Sequence, residues 1–201
     1  SSLSTVFHSG EIIHLRGDNG TGKTTLLKLI CGMIPHFQRG NQLSGNILLN
    51  GRSILENPPH SFFPDIAFIA PELTEYSLLT NTLEQDLLLT AALCKKSAED
   101  ITAYINEIES FFPHIRSWWN SPLASLTTAQ RCLALLLVYL FQHASLILLD
   151  EVFPSVSRQT RPRLMALLKK KCSNGGLIVF TSHIPVEGAT ASLALEENDY
   201  E

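Results

Sequence analysis

Positions 17–24 of the chain read GDNGTGKT, a complete match to the pattern GxxxxGK[ST] of a phosphate-binding loop. The preceding residues 11–16 form a short apolar run that predicts a buried strand, and residues 24–33 place apolar side chains at helical spacing. Glycines allow a tight turn between such a strand and helix, and the backbone N–H groups of the turn and the positive helix end attract phosphate oxygens. The stretch therefore predicts nucleotide binding rather than a plain glycine-rich connection.

Each residue type in this loop has a chemical use. The Lys23 ammonium can reach the β- and γ-phosphates of a nucleotide, and the Thr24 hydroxyl can bind Mg²⁺. The predicted nucleotide contacts come from the loop and the first turn of the helix: Asn19, Gly20, Thr21, Gly22, Lys23, Thr24 and Thr25. A nucleoside triphosphate with Mg²⁺ is therefore the expected ligand.

Carboxylates for the metal and for proton transfer follow a second predicted strand. Four apolar residues at 146–149 predict a buried strand that ends at Asp150 and Glu151. Asp150 is expected to hold the Mg²⁺ shell, and Glu151 is expected to accept a proton from the attacking water as general base. His183 follows the predicted strand at 177–181, where a neutral imidazole can hydrogen-bond the γ-phosphate or orient the water. The predicted catalytic side chains are Lys23, Glu151 and His183.

Length and composition fit one globular domain. The 201 residues are 45% hydrophobic and 17% charged, values that exclude a disordered or low-complexity chain. The net charge of −4 argues against broad nucleic-acid binding, and the lysine run at 169–171 suits the end of a helix. The longest apolar run, residues 133–141, is about half of what a bilayer crossing needs, so another polypeptide would have to do the spanning. Four widely spaced cysteines predict free thiols in a reducing compartment.

The order of predicted elements indicates the fold class. Strands alternate with helices in residues 1–71 and 127–201, which predicts an α/β core with a mainly parallel sheet covered on both faces. The Asn50-Gly51 turn predicts a small antiparallel element within it. Residues 72–126 lack strand signals and read as a helical insert in a single domain of residues 1–201. Two amphipathic helices are predicted in this insert, at residues 82–94 and 98–111.

These motifs, in this order and at these distances, resemble the nucleotide-binding domain of ATP-binding-cassette (ABC) proteins over essentially the whole chain. The resemblance implies a RecA-like P-loop fold, ATP as the nucleotide, and a head-to-tail dimer. Each ATP then lies between the phosphate loop of one domain and the signature helix of the other. The signature position is residues 126–130, LTTAQ. The implied contacts to the partner's nucleotide are Thr127, Ala129 and Gln130.

The same resemblance implies a cellular role. A chain of this kind hydrolyses Mg-ATP and drives transport through separate transmembrane subunits, from the cytoplasm and at the inner face of the cell membrane. Short matches at 32–36 and 43–45 resemble the ATPases of energy-coupling-factor vitamin and metal importers, and heme-exporter ATPases are a near alternative. A nucleotide-binding regulatory module with little turnover and an ABC ATPase that drives no transport also stay open. No nucleic-acid partner is expected.

Four features depart from the family pattern: the signature, positions 72 and 157, and the absence of an aromatic far enough upstream of Gly17 to stack on adenine. The signature has lost both glycines, and Thr128 and Ala129 add Cβ atoms where the backbone should approach phosphate closely. Glu72 stands where the family has a glutamine that senses Mg²⁺, although a carboxylate can still bind the metal. Ser157 stands in place of the aspartate of the D-loop. We therefore expect slow hydrolysis by the chain alone, with either a second copy or an unlike ABC subunit as the partner.

Aromatic residues add two further expectations. Phe7 is too close to Gly17 to stack on adenine as the family's aromatic does, and it is expected to pack in the core. The pair Trp118-Trp119 reads as a hydrophobic anchor for the helical insert, or else as part of a surface that docks a membrane protein.

Overall fold

The computed structural model describes residues 3–36, 44–62, 64–74 and 80–195. The helices and strands are, in chain order, β1 (Ile12–Arg16), α1 (Lys23–Ile30), α2 (Met33–His36), β2 (Leu48–Leu49), β3 (Arg52–Ser53), β4 (Ile66–Ile69), α3 (Leu83–Leu93), α4 (Ala98–Phe111), α5 (Thr128–Phe141), β5 (Leu146–Leu149), α6 (Val152–Ser155), α7 (Thr160–Ser173), β6 (Leu177–Thr181) and β7 (Ala191–Ala194).

The central sheet has five strands in the order β4-β5-β6-β1-β7, and every neighbouring pair is parallel. Because the strands are parallel, their carboxyl ends meet at one edge of the sheet. The segments that leave β1, β4, β5 and β6 therefore begin side by side, although they are far apart in the chain. This edge carries the candidate site.

The three interior strands β5, β6 and β1 are buried on both faces, which explains why they read as nearly continuous apolar runs, whereas the edge strand β7 is mostly exposed. Side chains alternate between the faces, so β5 contributes Ile147 and Leu149 to the larger core cluster and Leu146 and Leu148 to the smaller one. The larger cluster includes nearly all of α5, while the smaller one packs against α1 through Leu27. Phe7 packs against the smaller cluster, as expected from the sequence.

The insert is helical in its described residues, 72–74 and 80–126, which contain no strand. Its two long helices match the predicted ones because local caps define their ends. The Thr82 hydroxyl accepts a hydrogen bond from Gln85 N at the start of α3, and Ser97 and Asp100 form a capping box at the start of α4. The insert is tied to the core where the Tyr104 hydroxyl donates to the Leu137 carbonyl at 2.5 Å.

Two sequence predictions about smaller features can be compared with the structure. The antiparallel element is present as β2 and β3, joined by Asn50 and Gly51 at φ values of 50° and 79°. The strand predicted over residues 44–50 is shorter, since only Leu48–Leu49 pairs. Trp118 and Trp119 are half-buried and pack against the larger core cluster, which supports their interpretation as an anchor.

No helix among the described residues is long and apolar enough to cross a membrane. The four cysteines, all of them in the described part of the chain, are free thiols. Burial raises the pKa of Cys172 to about 11, and it also raises the pKa of Cys132. Both thiols therefore stay protonated near neutral pH, which suits a packing role and not a nucleophilic one.

Candidate nucleotide site

The phosphate loop joins β1 to α1 through glycines in the left-handed region. Gly20 and Gly22 have φ values of 90° and 89°. Gly22 is the N-cap of α1 and provides no side chain to cap it, and the first helical hydrogen bond runs from Leu26 N to Gly22 O at 2.8 Å. The N–H groups of residues 23–25 consequently have no acceptor within the helix and suit an anion.

The Lys23 ammonium lies against the backbone of this loop. Its ammonium donates to the carbonyl oxygens of Gly17 and Asp18, each at 2.8 Å, while the Thr21 hydroxyl donates to the Asp18 carbonyl at 2.9 Å. Both Lys23 acceptors are neutral, so phosphate oxygens would be stronger partners for the same ammonium. The loop thus holds its one lysine at the position where a triphosphate would lie.

Position 17 requires a glycine because neighbouring atoms lie very close to its backbone. A Cβ at this position would lie 2.6 Å from the Leu195 carbonyl oxygen and 2.6 Å from Thr21 Oγ1, at a φ of +148°. The Leu195 N–H also donates to the Arg16 carbonyl at 2.7 Å, so the backbone beside Gly17 is held in place. The glycine therefore allows the end of β7 to pack on the entry to the phosphate loop.

Replacing Gly17 by alanine should lower both stability and nucleotide affinity. We expect a loss of roughly 1–3 kcal/mol in the free energy of unfolding from overpacking and strain, and a fall in ATP affinity of at least about tenfold because the loop must shift. Urea unfolding and titration with a fluorescent ATP analogue measure the two effects. Gly175→Ala is the control, since it has a similar left-handed φ of +88°, its Cβ would meet no atom within 4 Å, and it lies after α7, away from the loop. Equal effects of the two variants would contradict the close-approach argument.

The carboxylate of Asp150 is buried at the end of β5, with 4% of the residue exposed. Its Oδ1 accepts a hydrogen bond from the Thr181 hydroxyl at 2.7 Å, and the same hydroxyl accepts from Glu151 N at 3.0 Å. Thr181 ends β6 and is fully buried, so it holds both acids from the neighbouring strand. Sequence reasoning missed this residue; the available signal was a hydroxyl side chain closing an otherwise apolar strand.

Glu151 and His183 form a pair at the mouth of the site. Glu151 Oε2 lies 2.8 Å from His183 Nδ1 and accepts from His183 N at 3.1 Å. Their side chains are 33% and 61% exposed, so water reaches both. Glu151 has a φ of 51°, a left-handed conformation that costs on the order of 1–3 kcal/mol for a non-glycine residue and is concentrated at functional sites. The strained backbone at Glu151 therefore supports a functional role for its carboxylate.

The predicted site residues fall into two groups. Lys23, Thr24, Asp150, Glu151 and His183 all lie at the carboxyl edge of the sheet, together with the loop residues Asn19, Gly20, Thr21, Gly22 and Thr25. Glu72 is exposed on the short turn after β4, and Asp150 N donates to the β4 carbonyl of Ile69 at 2.8 Å, which places the two acids on neighbouring strands. The predicted signature residues lie elsewhere, at the start of α5.

Side chains at the start of α5 hydrogen-bond to the backbone of the same helix start. Thr127 is the N-cap and accepts from Gln130 N at 3.3 Å, while Gln130 Oε1 accepts from Thr127 N at 2.9 Å and from the Thr127 hydroxyl at 3.1 Å. This capping box uses the hydroxyl and the amide oxygen that the signature could offer a phosphate. Thr127 and Thr128 are exposed and Ala129 is half-buried. The helix end is therefore accessible, although its polar side chains already have partners.

Ser157, in the place of the D-loop aspartate, also has a local structural partner. Its hydroxyl lies 2.7 Å from Thr160 Oγ1 and accepts from Thr160 N at 3.2 Å at the start of α7. The exposed side chain bonds within the turn that precedes α7, whose N-cap is Gln159. The substitution is thus compatible with the fold of this turn.

The donors near the loop suit a hard cation. No cluster of three or more His, Cys, Asp or Glu able to hold a metal ion occurs in the described ranges. Oxygen donors at this edge include the Thr24 hydroxyl and the carboxylates of Asp150 and Glu72. Mg²⁺ prefers oxygen ligands and is bound by one or two protein groups together with phosphate oxygens and water, so these residues fit it.

The fold and the groups at the carboxyl edge of the sheet define a class of protein: a phosphate-loop nucleotide-binding domain with a helical insert. The family model described as ABC transporter matches residues 1–154. Among curated relatives, the cytochrome c biogenesis ATP-binding export protein CcmA of Hahella chejuensis is 29% identical over 182 residues, covering 90% of this chain and 80% of the relative. The CcmA protein of Pseudomonas putida strain KT2440 is 30% identical over 181 residues, covering 89% and 79%.

Solved structures show the same fold. CbiO1 from Clostridium perfringens, described as part of the ABC transporter complex cbiONQ, superposes with a TM-score of 0.67 at 20% identity, covering 88% of this chain and 68% of that one. A dimeric ATP-binding cassette in a post-hydrolysis state with ADP and Pi gives a TM-score of 0.71 at 19% identity, covering 90% and 78%. The chain belongs to the ABC transporter family, as an ATP-binding subunit and ATPase.

Proposed function

We propose that this chain hydrolyses Mg-ATP for an exporter of the cytochrome c biogenesis kind, from the inner face of the cell membrane and through separate transmembrane subunits. The observation that carries the ATPase part is the hydrogen-bonded set at the sheet edge, in which Thr181 holds Asp150 and Glu151 while Glu151 holds His183. The export part rests on the CcmA relatives, which match about nine-tenths of the chain.

This geometry supports the following proposed roles for the site residues. Lys23 and the amides of the loop and first helical turn bind the β- and γ-phosphates. Thr24 and Asp150 would hold Mg²⁺, which would neutralise charge at the phosphates, and Glu72 on the neighbouring strand end is the proposed third metal residue. The Glu151 carboxylate accepts the proton of the attacking water. His183 donates from Nδ1 to Glu151, which orients that carboxylate and leaves the imidazole Nε2 free to contact the γ-phosphate or the water.

Dimerisation supplies the other half of each nucleotide site. Thr127, Ala129 and Gln130 are the proposed contacts to the partner's ATP, made by the exposed positive end of α5. Because the capping box occupies the Thr127 and Gln130 side chains, these contacts are weaker than those of a glycine-containing signature. We therefore propose pairing with an unlike ABC subunit that provides the stronger signature. The capping box also favours a second candidate function, a nucleotide-binding regulatory subunit with little turnover.

An exposed apolar strip on α3 suits a membrane partner. Leu88, Leu89 and Leu93 are 52%, 38% and 60% exposed on the outer side of this helix. Neighbouring exposed leucines are expected where another protein packs, since they gain by losing water contact. The occupant we propose is an apolar cytoplasm-facing segment of a transmembrane subunit.

Replacing Leu88 and Leu93 together by glutamate should release the chain from its membrane partner. We expect loss of most of the membrane-bound fraction in the source organism, with ATP binding and thermal stability unchanged because neither side chain is buried. Sedimentation of membranes followed by immunoblotting measures recruitment. Asn106→Glu, which adds a negative charge at an exposed position on α4, is the control. Retention of the double variant on membranes would contradict docking through this strip.

Complementation tests the proposed function as a whole. Deletion of the gene for this chain in the source organism should remove haem-stained c-type cytochromes, and expression of the wild-type chain should restore them. Glu151→Gln should not restore them, although it should be present at the same level. Normal c-type cytochromes in the deletion strain would refute the export assignment, and full restoration by Glu151→Gln would favour the regulatory candidate.

A further inference from the structure

His14 is a buried imidazole in the middle of the interior strand β1. The residue is 5% exposed, and its ring stacks on Phe180 of β6 with centroids 4.5 Å apart and an interplanar angle of 12°. A polar ring in this position needs hydrogen-bond partners to offset its burial. Nothing in the nucleotide chemistry described above uses it.

Both ring nitrogens have partners, and each partner belongs to a different part of the site. His14 Nε2 lies 3.4 Å from the carbonyl oxygen of Ser182, which connects Thr181 to His183. His14 Nδ1 lies 3.3 Å from Nε of Arg16, the residue immediately before the phosphate loop. The single ring therefore bridges the entry of the phosphate loop and the segment that carries His183.

These partners select one form of the imidazole. Arg16 Nε can only donate, so His14 Nδ1 must carry no proton, and the Ser182 carbonyl can only accept, so Nε2 must carry one. Only the neutral Nε2–H tautomer satisfies both contacts. Burial is the main cause that lowers the pKa of His14, and the nearby Arg16 charge adds to the lowering; the Ser182 hydrogen bond and the Glu151 charge act in the opposite direction.

We propose that His14, as the neutral Nε2–H tautomer, is a positioning residue that holds the Ser182 carbonyl and thereby keeps His183 and Glu151 aligned with the phosphate loop. It lies outside the proposed nucleotide contacts and acts through the backbone that follows β6. The two hydrogen bonds that His183 donates to Glu151 begin one residue beyond the carbonyl that His14 holds. Loss of this contact frees the His183 segment to move against Glu151, and small displacements of a catalytic group reduce turnover strongly.

Two substitutions separate positioning from packing. His14→Phe keeps an aromatic ring on Phe180 but removes both hydrogen bonds. His14→Gln keeps a donor for the Ser182 carbonyl and an acceptor for Arg16, while it removes the aromatic ring. If packing is the role, the glutamine variant should be the more damaged of the two; if positioning is the role, the phenylalanine variant should be.

The kinetic test is steady-state hydrolysis of Mg-ATP by the full chain, with its ABC partner where one is needed. We expect His14→Phe to lower kcat by about tenfold with the KM for ATP within about twofold, and His14→Gln to retain kcat within about threefold. Wild-type kcat in His14→Phe, or larger losses in His14→Gln accompanied by a lower Tm, would overturn the proposal.

The proposal rests on the ATPase assignment, so a second readout is independent of turnover. Long-range ¹H–¹⁵N spectra of the histidine rings in the nucleotide-free wild-type chain should show His14 as the Nε2–H tautomer at neutral pH. In His14→Phe the His183 ring signals should shift while those of exposed His114 stay in place. A protonated Nδ1 on His14, or unmoved His183 signals, refutes the positioning role even if the chain hydrolyses ATP normally. Absence of hydrolysis in the wild type, with the expected spectra, would refute only the ATPase assignment.

Discussion

Glu151→Gln should almost abolish ATP hydrolysis while leaving ATP bound. The amide keeps the length of the side chain and can still accept a hydrogen bond from His183, but it cannot take a proton from water. General bases contribute about 10²–10⁴-fold to rates, so we expect kcat to fall by that factor. Phosphate release measures the rate, and titration with an ATP analogue measures the affinity. With its ABC partner present, an ATP-bound dimer should accumulate in the variant, visible by size-exclusion chromatography with light scattering.

The matched control for this substitution is Glu72→Gln, which makes the same chemical change at the exposed turn after β4. It restores the residue that the resemblance implies at this position, so hydrolysis should be retained. If Glu151→Gln kept more than roughly a tenth of the wild-type rate, Glu151 would not be the general base. Equal losses in both variants would instead indicate that negative charge around the metal is what hydrolysis requires.

Lys23→Ala should remove most of the affinity for Mg-ATP. The Lys23 ammonium already lies between the Gly17 and Asp18 carbonyls, within the loop that would receive the phosphates. Charge-assisted hydrogen bonds contribute about 1.5–3 kcal/mol each, so the loss of two to the phosphates should weaken binding by at least about a hundredfold. Isothermal titration calorimetry with Mg-ATP, with and without excess chelator, measures this loss and the contribution of the metal.

Lys28→Ala in the last turn of the same helix is the control, because it removes the same charge away from the loop. Its affinity for Mg-ATP should equal that of the wild type, and both variants should unfold at similar temperatures. An affinity loss below tenfold in Lys23→Ala would mean that the backbone amides of residues 20–25 bind the phosphates largely by themselves. In that case the central role given to this lysine would be wrong.

The short-range signals in the sequence predicted the elements well. The strands at 146–149 and 177–181 and the helix at 98–111 have the bounds expected from the sequence. Each depends on information within a few residues, such as an apolar run or the Ser97–Asp100 capping box. The α/β fold class with a parallel sheet and a small antiparallel pair is confirmed, since alternating strands and helices leave few other arrangements.

The weakest prediction concerned a strand whose formation depends on a neighbour. Residues 44–50 have a strand-like composition, yet only Leu48–Leu49 pairs, against the equally short β3. A strand at the surface gains little burial from lengthening, and composition by itself carries no measure of that gain. The two tryptophans are a similar case, because whether they pack inward or face a partner depends on the surrounding helices.

The sequence alone was sufficient to identify the phosphate loop, the paired acids and the histidine, because each motif combines a local backbone shape with one chemical group. It could not show that Thr181 bridges Asp150 and Glu151, or that His14 connects Arg16 to Ser182. Those contacts join residues 31 and 168 positions apart in the chain. The strand order β4-β5-β6-β1-β7 decides them, since it places the carboxyl ends of distant strands together. Tertiary structure also decided the left-handed backbone of Glu151, a strained conformation that only surrounding contacts can maintain.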